Sequence, residues 1–191
     1  MYEDLKEKCI RLEHYETPIW AAKAILQKEY LKGLVIDPCC GTGVLAQAAL
    51  NYGHDVYALD IEQWGYESQN AQLDWLGLEE LNGGKEFDVM MNPPFSLATQ
   101  FVEKAFELGA RKVLCFQRFA WWESKKRREF WRKYQPSRVY ICGDRADCWR
   151  HDIHEAGRGS SSPTAHAWFV FEKGERNHWP LLSHVWKDDV K

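Results

Sequence analysis

The sequence predicts an α/β protein built on a doubly wound, mostly parallel seven-stranded sheet. Three observations carry this. Short apolar runs alternate with helix-like stretches through most of the 191 residues, the order of a parallel sheet wrapped by helices. The run Leu34-Val35-Ile36 leads into a glycine turn and then a helix-like stretch. The next apolar run ends in an acid about 20 residues beyond those glycines, the spacing that places a carboxylate beside a ribose.

Taken in order, residues 3–13 read as a charged, marginal helix. Thr17 as N-cap and Pro18 at the first helical position open a second helix, with Ile19, Ala22, Ile25 and Leu26 on one side. Gly33 ends that stretch, and Leu34–Ile36 is a buried strand. It runs into Asp37-Pro38-Cys39-Cys40-Gly41-Thr42-Gly43, after which Val44 to Leu50 is a helix. Gly41 and Gly43 let the backbone approach a ligand, and the helix N-terminus aims N–H groups at it. Asp55 to Leu59 is the second strand, ending in Asp60 with Ile61 beside it. Gln72 to Leu76 reads as a third strand tip carrying Asp74, with an exposed helix end as the alternative. Asn82 to Lys85 is a turn. Phe87 to Met91 is a strand, residues 96–108 hold a helix closed by Gly109, and Lys112 to Phe116 is a strand. Ala120 to Tyr134 is a basic, aromatic helix stopped by Pro136. Arg138 to Cys142 and Ala165 to Phe171 complete seven strands, and the tail beyond Gly174 is polar with Trp179 and Trp186.

The stretch Asn92-Pro93-Pro94-Phe95 directly follows the fourth strand. Proline has no N–H for a ladder, so the chain leaves the sheet here as a stiff loop. The Asn92 side-chain oxygen and the Pro93 carbonyl can accept hydrogen bonds from an amine, and the Phe95 ring can stack on a flat substrate. This suits a planar conjugated amine such as the exocyclic amine of a nucleobase. The plainer alternative is a proline turn with a core phenylalanine. In a doubly wound sheet, ligands sit beyond the carboxyl ends of the strands where strand order reverses. If the glycine-loop strand is central and the Asn-Pro-Pro-Phe strand lies beside it, both motifs open into one crevice. A pyrophosphate would be repelled by a carboxylate at Asp37, and a cationic ligand would be welcomed. That favours S-adenosylmethionine over a nicotinamide dinucleotide, although Gly41-x-Gly43-x-x-Ala46 fits the loose dinucleotide pattern.

Residues 51–110 hold 11 acids and 2 bases, whereas residues 111–150 hold 12 bases and 4 acids. Such asymmetry points to a basic face for a polyanion, with Arg118, Lys125, Lys126, Arg127 and Arg128 as candidate phosphate contacts; a solvated helix face is the alternative. No apolar run has the length of a membrane span, Met1-Tyr2-Glu3-Asp4 does not resemble a signal peptide, and six cysteines at irregular spacing suit free thiols in a cytoplasmic protein. Cys142, Cys148, His151, His154 and His166 could gather a metal, but their spacing is not that of a structural zinc site, and no metal is expected.

These residues resemble the class I S-adenosylmethionine-dependent methyltransferases, and within them the DNA adenine-N6 enzymes. Asp37-Pro38-Cys39-Cys40-Gly41-Thr42-Gly43 is similar to that family's cofactor loop. Thr17-Pro18 resembles the segment that covers the cofactor's methionine end. Asp60 matches the ribose acid and Asp74 the acid near the adenine amine. Asn92-Pro93-Pro94-Phe95 is a permitted form of the catalytic tetrapeptide, about 50 residues after the glycine loop. The resemblance covers about residues 15–175. It implies the Rossmann-like methyltransferase fold with its last strand antiparallel. It also implies a cofactor site of Thr17, Pro18, Asp37, Pro38, Cys39, Gly41, Gly43, Asp60, Ile61, Asp74 and Asn92, and methyl transfer to an adenine amine in DNA. RNA bases and protein glutamine amides are methylated by enzymes with similar tetrapeptides, and the basic segment counts against the protein substrate. The motif order is that of enzymes with a C-terminal target-recognition domain, and residues 1–191 leave no room for one. Residues 143–163 and the basic helix are then the recognition elements, with a partner subunit or homodimer as a further source. Compact chains of this kind are typical of phage and prophage.

Overall fold

The computed structural model describes residues 4–152, 164–174 and 179–190, the side chain of Asn82 apart. After α1 (Leu5–Arg11) and α2 (Ile19–Lys28) the chain forms β1 (Leu34–Asp37), α3 (Val44–Asn51), β2 (Asp55–Asp60), β3 (Ala71–Gln72), β4 (Phe87–Met91), α4 (Ala98–Glu107) and β5 (Ala110–Arg118). It continues through α5 (Arg128–Lys133), β6 (Arg138–Cys142), β7 (His166–Glu172) and β8 (Leu181–Val185). One sheet holds all eight strands in the order β3-β2-β1-β4-β5-β7-β6-β8. Its strands are parallel except β7, which pairs antiparallel with both β5 and β6. The expected seven strands are all present, and β8 adds an eighth beside β6.

Strand order reverses between β1 and β4. From β1 the chain steps outward to β2 and β3, then returns to place β4 against β1's other side, with Ile36 opposite Val89. The carboxyl ends of these two strands therefore flank the crevice expected of a doubly wound sheet. All five residues of β4 are buried, as a central parallel strand requires. Adjacent side chains go to opposite faces. Met90, Leu114 and Phe116 meet the alanine-rich α2 and α3, while Met91, Val113 and Cys115 meet Phe101 and Val102 of α4. Away from the crevice, buried Glu29 binds Lys112 (2.8 Å), Arg138 and the Tyr140 hydroxyl (2.8 Å). Glu172 completes this network through Lys112 and Arg138, at 2.9 Å each.

Four elements differ from the sequence reading. Thr17 does not cap α2; Pro18 holds the N-cap position, and the Thr17 hydroxyl accepts from Asn92 instead. The third strand shrinks to Ala71–Gln72, because Asp74 turns the chain by capping a 3₁₀ turn at Trp75–Gly77. The expected helix over residues 120–134 breaks into 3₁₀ turns at Phe119–Trp122 and Lys125–Arg127 before α5. Trp121 is buried against Phe169 and Phe130, and extended Ser124 starts the next turn by accepting from the Lys126 N–H at 3.1 Å. The tail forms β8 and seats Trp186 on Gly143, where a Cβ would collide with the indole.

Candidate functional site

The glycine turn between β1 and α3 is set by steric demands. Gly41 and Gly43 have φ of 53° and 85°, which side-chain-bearing residues rarely adopt. A Cβ on Gly41 would lie 2.7 Å from His14 Nε2, and one on Gly43 would overlap the Tyr66 ring. Asp60, at the tip of β2, holds the turn in place. Its carboxylate accepts from Gly41 N (2.9 Å), Glu62 N (2.9 Å) and Trp64 Nε1 (3.2 Å). Burial raises its pKa against those hydrogen bonds. A carboxylate offers about four acceptor directions, so one remains for a ligand.

Beyond the strand ends lies a cleft enclosing about 990 Å³ of atom-free space, its mouth included. Thr17, Pro38, Cys39, Gly41, Asp60 and Ile61 line it, as do Asp74, Asn92 and Pro94. Residues read from five separate stretches of sequence thus meet at one place. Asp74 uses one oxygen to cap Leu76 N at 3.0 Å, and half-exposed Ile61 and Leu76 give that end an apolar lining. Pro18, Gly43, Pro93 and Phe95 are not among the lining residues. Burial pushes the Cys39 thiol well up, so it stays protonated, and Cys40 packs with Ala46 and Ala58.

Asp37 corrects the sequence reading. It does not reach the cleft wall; it is enclosed beneath the loop, with one oxygen 3.4 Å from Cys39 N and the other without a hydrogen-bond partner. Burial, followed by the charge of Asp60, pushes its pKa up to about 8. A carboxyl protonated at neutral pH offers no anionic welcome. The negative wall comes instead from Glu13, Glu16, Asp60 and Asp74, against Arg11 alone among the lysines and arginines of the lining.

Glu13 and Glu16 belong to a strap, residues 12–17, that sequence reasoning missed. It joins both halves of the site. On the glycine side, Glu16 Oε1 meets His151 Nδ1 at 2.7 Å and Thr42 Oγ1 at 3.4 Å. The His14 ring packs between Trp64 (4.1 Å) and His151 (4.9 Å), and burial lowers its pKa to about 3, so it is a neutral plate. On the other side, Glu13 adopts φ 50° and its Oε2 accepts from Ser96 N (2.9 Å) and Ser96 Oγ (3.1 Å). The only sequence signal was an aromatic and acids next to Thr17-Pro18.

The strap also orients Asn92. Its Nδ2 donates to the Tyr15 carbonyl and to Thr17 Oγ1, each at 2.9 Å. A carbonyl only accepts, so the amide nitrogen must face Tyr15. Oδ1 is left as the uncommitted atom of the amide among the described residues. The Pro93 carbonyl accepts from buried Gln117 Nε2 at 2.9 Å, which occupies one of its two lone pairs. Phe95 is partly exposed, 5.2 Å from the Tyr15 ring, between the cleft-lining Pro94 and Ser96 but not itself in the lining.

The basic residues divide. Arg118, the last residue of β5, is exposed and lies over Phe95. Lys125, Lys126 and Arg128 are exposed. Arg127 corrects the sequence reading: its guanidinium donates to the Trp121 carbonyl (2.8 Å) and the Glu123 carbonyl (3.1 Å), so it pins the broken helix. Among the described residues no group of three or more metal-ligating side chains forms; His154 and the rest of residues 153–163 lie outside them. All six cysteines are free, and no described helix is long and apolar enough to cross a membrane.

No protein-family model and no curated sequence matches the chain. Solved structures do. A provisionally assigned RNA methyltransferase of Pyrococcus horikoshii aligns with TM-score 0.60 and 19% identity, over 86% of this chain and 88% of its own. The modification subunit of a provisionally assigned type I restriction enzyme from Vibrio vulnificus aligns at 0.61 and 10% identity, over 96% of this chain and 53% of its own. Magnesium protoporphyrin IX methyltransferase of Synechocystis, solved with S-adenosylmethionine, aligns at 0.52 and 15% identity, over 91% and 86%. The chain shares their fold.

Proposed function

We propose that this chain is an S-adenosylmethionine-dependent N-methyltransferase that acts on the exocyclic amine of a nucleobase, N6 of adenine in DNA. The observation that carries the reading is the fixed amide of Asn92: its nitrogen is committed to the strap, and its oxygen has no hydrogen-bond partner among the described residues, on a residue that lines the cleft.

The cleft fits the proposed cofactor. Asp60 and the glycine turn suit a ribose, Ile61, Leu76 and Asp74 an adenine, and the acidic strap an amino acid's ammonium group beside a sulfonium. Bound there, the cofactor would supply an electrophilic methyl group. The protein's own part is positioning. Asn92 Oδ1 and the remaining lone pair of the Pro93 carbonyl accept from the two N–H bonds of the amine, which draws electron density onto its nitrogen. Phe95 stacks on the base once it is flipped out of the helix. Holding nucleophile and methyl in line supplies most of the acceleration. No strong base is needed, because the amine proton becomes acidic when the new C–N bond forms.

Lys125, Lys126 and Arg128 are proposed phosphate contacts, which give affinity without sequence information. Residues 1–191 are read as one cytoplasmic methyltransferase domain. Sequence readout falls to the connection between β6 and β7, which leaves and rejoins the sheet at the crevice edge, supplemented by a second copy or a partner subunit.

The test is methyl transfer from labelled S-adenosylmethionine to unmethylated duplex DNA, single-stranded DNA and RNA in parallel, followed by digestion to nucleosides. Labelled N6-methyladenine from DNA is the expected result. Label in RNA alone moves the substrate and keeps the mechanism. Cofactor binding with no labelled nucleoside refutes the nucleic-acid reading.

A further inference from the structure

The guanidinium of Arg118 lies against an aromatic ring. The residue ends β5 at the crevice edge, opposite His166 of β7. Its guanidinium carbon lies 4.1 Å from the centroid of the Phe95 ring and 5.9 Å from that of Tyr15. Among the described residues no carboxylate pairs with it, and the side chain is exposed. The guanidinium thus rests on a ring of the catalytic loop, on the surface that a stacked base would cover.

We propose that Arg118 caps the target base, so that the base enters between Phe95 and the guanidinium and completes a three-layer stack. This rests on the methyltransferase reading above. A planar base needs about 3.5 Å on each side, so the guanidinium must lift from 4.1 Å to about 7 Å from the ring. A long unpaired side chain on the surface can do that without disturbing β5. Arginine suits the place because its guanidinium is planar, delocalised and weakly hydrated. It stacks on π faces and retains its charge. Lysine has the charge without the plane. The cap also separates substrates: a nucleobase offers a second broad face, and a glutamine amide does not.

The experiment compares wild type, Arg118→Lys and Arg118→Ala. Nucleic-acid affinity is measured at two salt concentrations and methyl-transfer kinetics on the duplex or RNA that the wild type methylates; thermal melting confirms that both variants are folded. The cap predicts that Arg118→Lys binds within about twofold of wild type, with the same salt dependence. It also predicts that Arg118→Lys loses about tenfold in kcat/KM, the scale of one lost stacking contact. Arg118→Ala should show that same loss with the salt dependence unchanged, because a base cap neutralises no phosphate. Wild-type kcat/KM in Arg118→Lys would make Arg118 a phosphate contact and overturn the cap alone. Absence of nucleic-acid methylation by wild type overturns the functional reading and the cap with it.

Discussion

Asn92→Asp tests the site most sharply, because it exchanges one atom. The carboxyl has nearly the shape of the amide and keeps an acceptor for the substrate. It loses the nitrogen that donates to the Tyr15 carbonyl and Thr17 Oγ1 at 2.9 Å each. Thr17 can turn its hydroxyl and donate; the Tyr15 carbonyl cannot, and faces a carboxylate oxygen. The one bond that cannot be re-made leaves the Tyr15 carbonyl unpaired, a cost of about 1–3 kcal/mol. Spent on misplacing the acceptor, that is a fall in kcat of about five- to 150-fold near neutral pH. The carbonyl's proximity raises the introduced carboxyl's pKa. Once protonated, it donates one bond back to Tyr15, so activity relative to wild type should recover as pH falls. The assay is the initial rate of labelled methyl transfer across pH, with cofactor affinity measured separately. An Asn92→Asp enzyme with wild-type kcat at neutral pH would refute the assigned amide orientation and the acceptor role that depends on it.

Three further outcomes follow from the same geometry. Asp37 is held near pKa 8 by burial, far above its unfolded value of 3.8, so the folded state binds the extra proton and the stability this group contributes is lost as pH rises from about 4 to 8; Asp37→Asn should match wild type near pH 4 and exceed it at pH 8 in denaturant titrations. Burial pushes the Glu29 carboxyl up, but hydrogen bonds from Arg138, Lys112 and Tyr140 outweigh it and leave the pKa lowered. The stability this gives is present above the unfolded pKa and lost as pH falls through the folded one, so Glu29→Gln should lose about 3–5 kcal/mol at neutral pH, as for one partner removed from a buried pair, and flatten the acid limb of the profile. Gly43→Ala must hold φ 85° and displace Tyr66; it should lose at least the 1–2 kcal/mol or so of a left-handed alanine, and adding Tyr66→Ala should recover the steric part alone, as read by thermal melts.

What the sequence made legible were local patterns and their topological consequence. Leu34–Ile36, the two glycines and Asp60 announce a strand, turn and acid, and the proline pair marks where β4 ends. That β1 and β4 are neighbours follows from doubly wound order, and the sheet confirms it. What stayed hidden depends on distant partners. Glu13 and Ser96 are 83 residues apart, and Tyr15 and Asn92 are 77 apart; no period or spacing connects them. Asp37 had the right residue type, but only the packed loop above it reveals an enclosed and protonated carboxyl. Residues 120–134 carry helix-forming lysines and arginines, yet Trp121 turns inward and Ser124 restarts the chain. β8 escaped notice because it joins the sheet through its backbone; of its five side chains only Val185 is buried.

The strap has a further physical consequence for how the two halves of the cleft act together. Glu16 is tied to Thr42 beside the glycine turn, while the next residue, Thr17, holds the amide of Asn92. One side of that peptide bond meets the glycine turn proposed to hold the cofactor, and the other meets Asn92, the proposed acceptor for the substrate amine. The strap is anchored from outside by His151 N–H donating to the His14 carbonyl (3.2 Å) and Glu16 N–H to the Trp149 carbonyl (2.9 Å). Thr42 and Asn92 are therefore joined through two consecutive residues of one anchored segment rather than through a free loop. The arrangement links the glycine turn to the residue that aims Asn92 Oδ1, although β1 and β4 reach the crevice as separate strands.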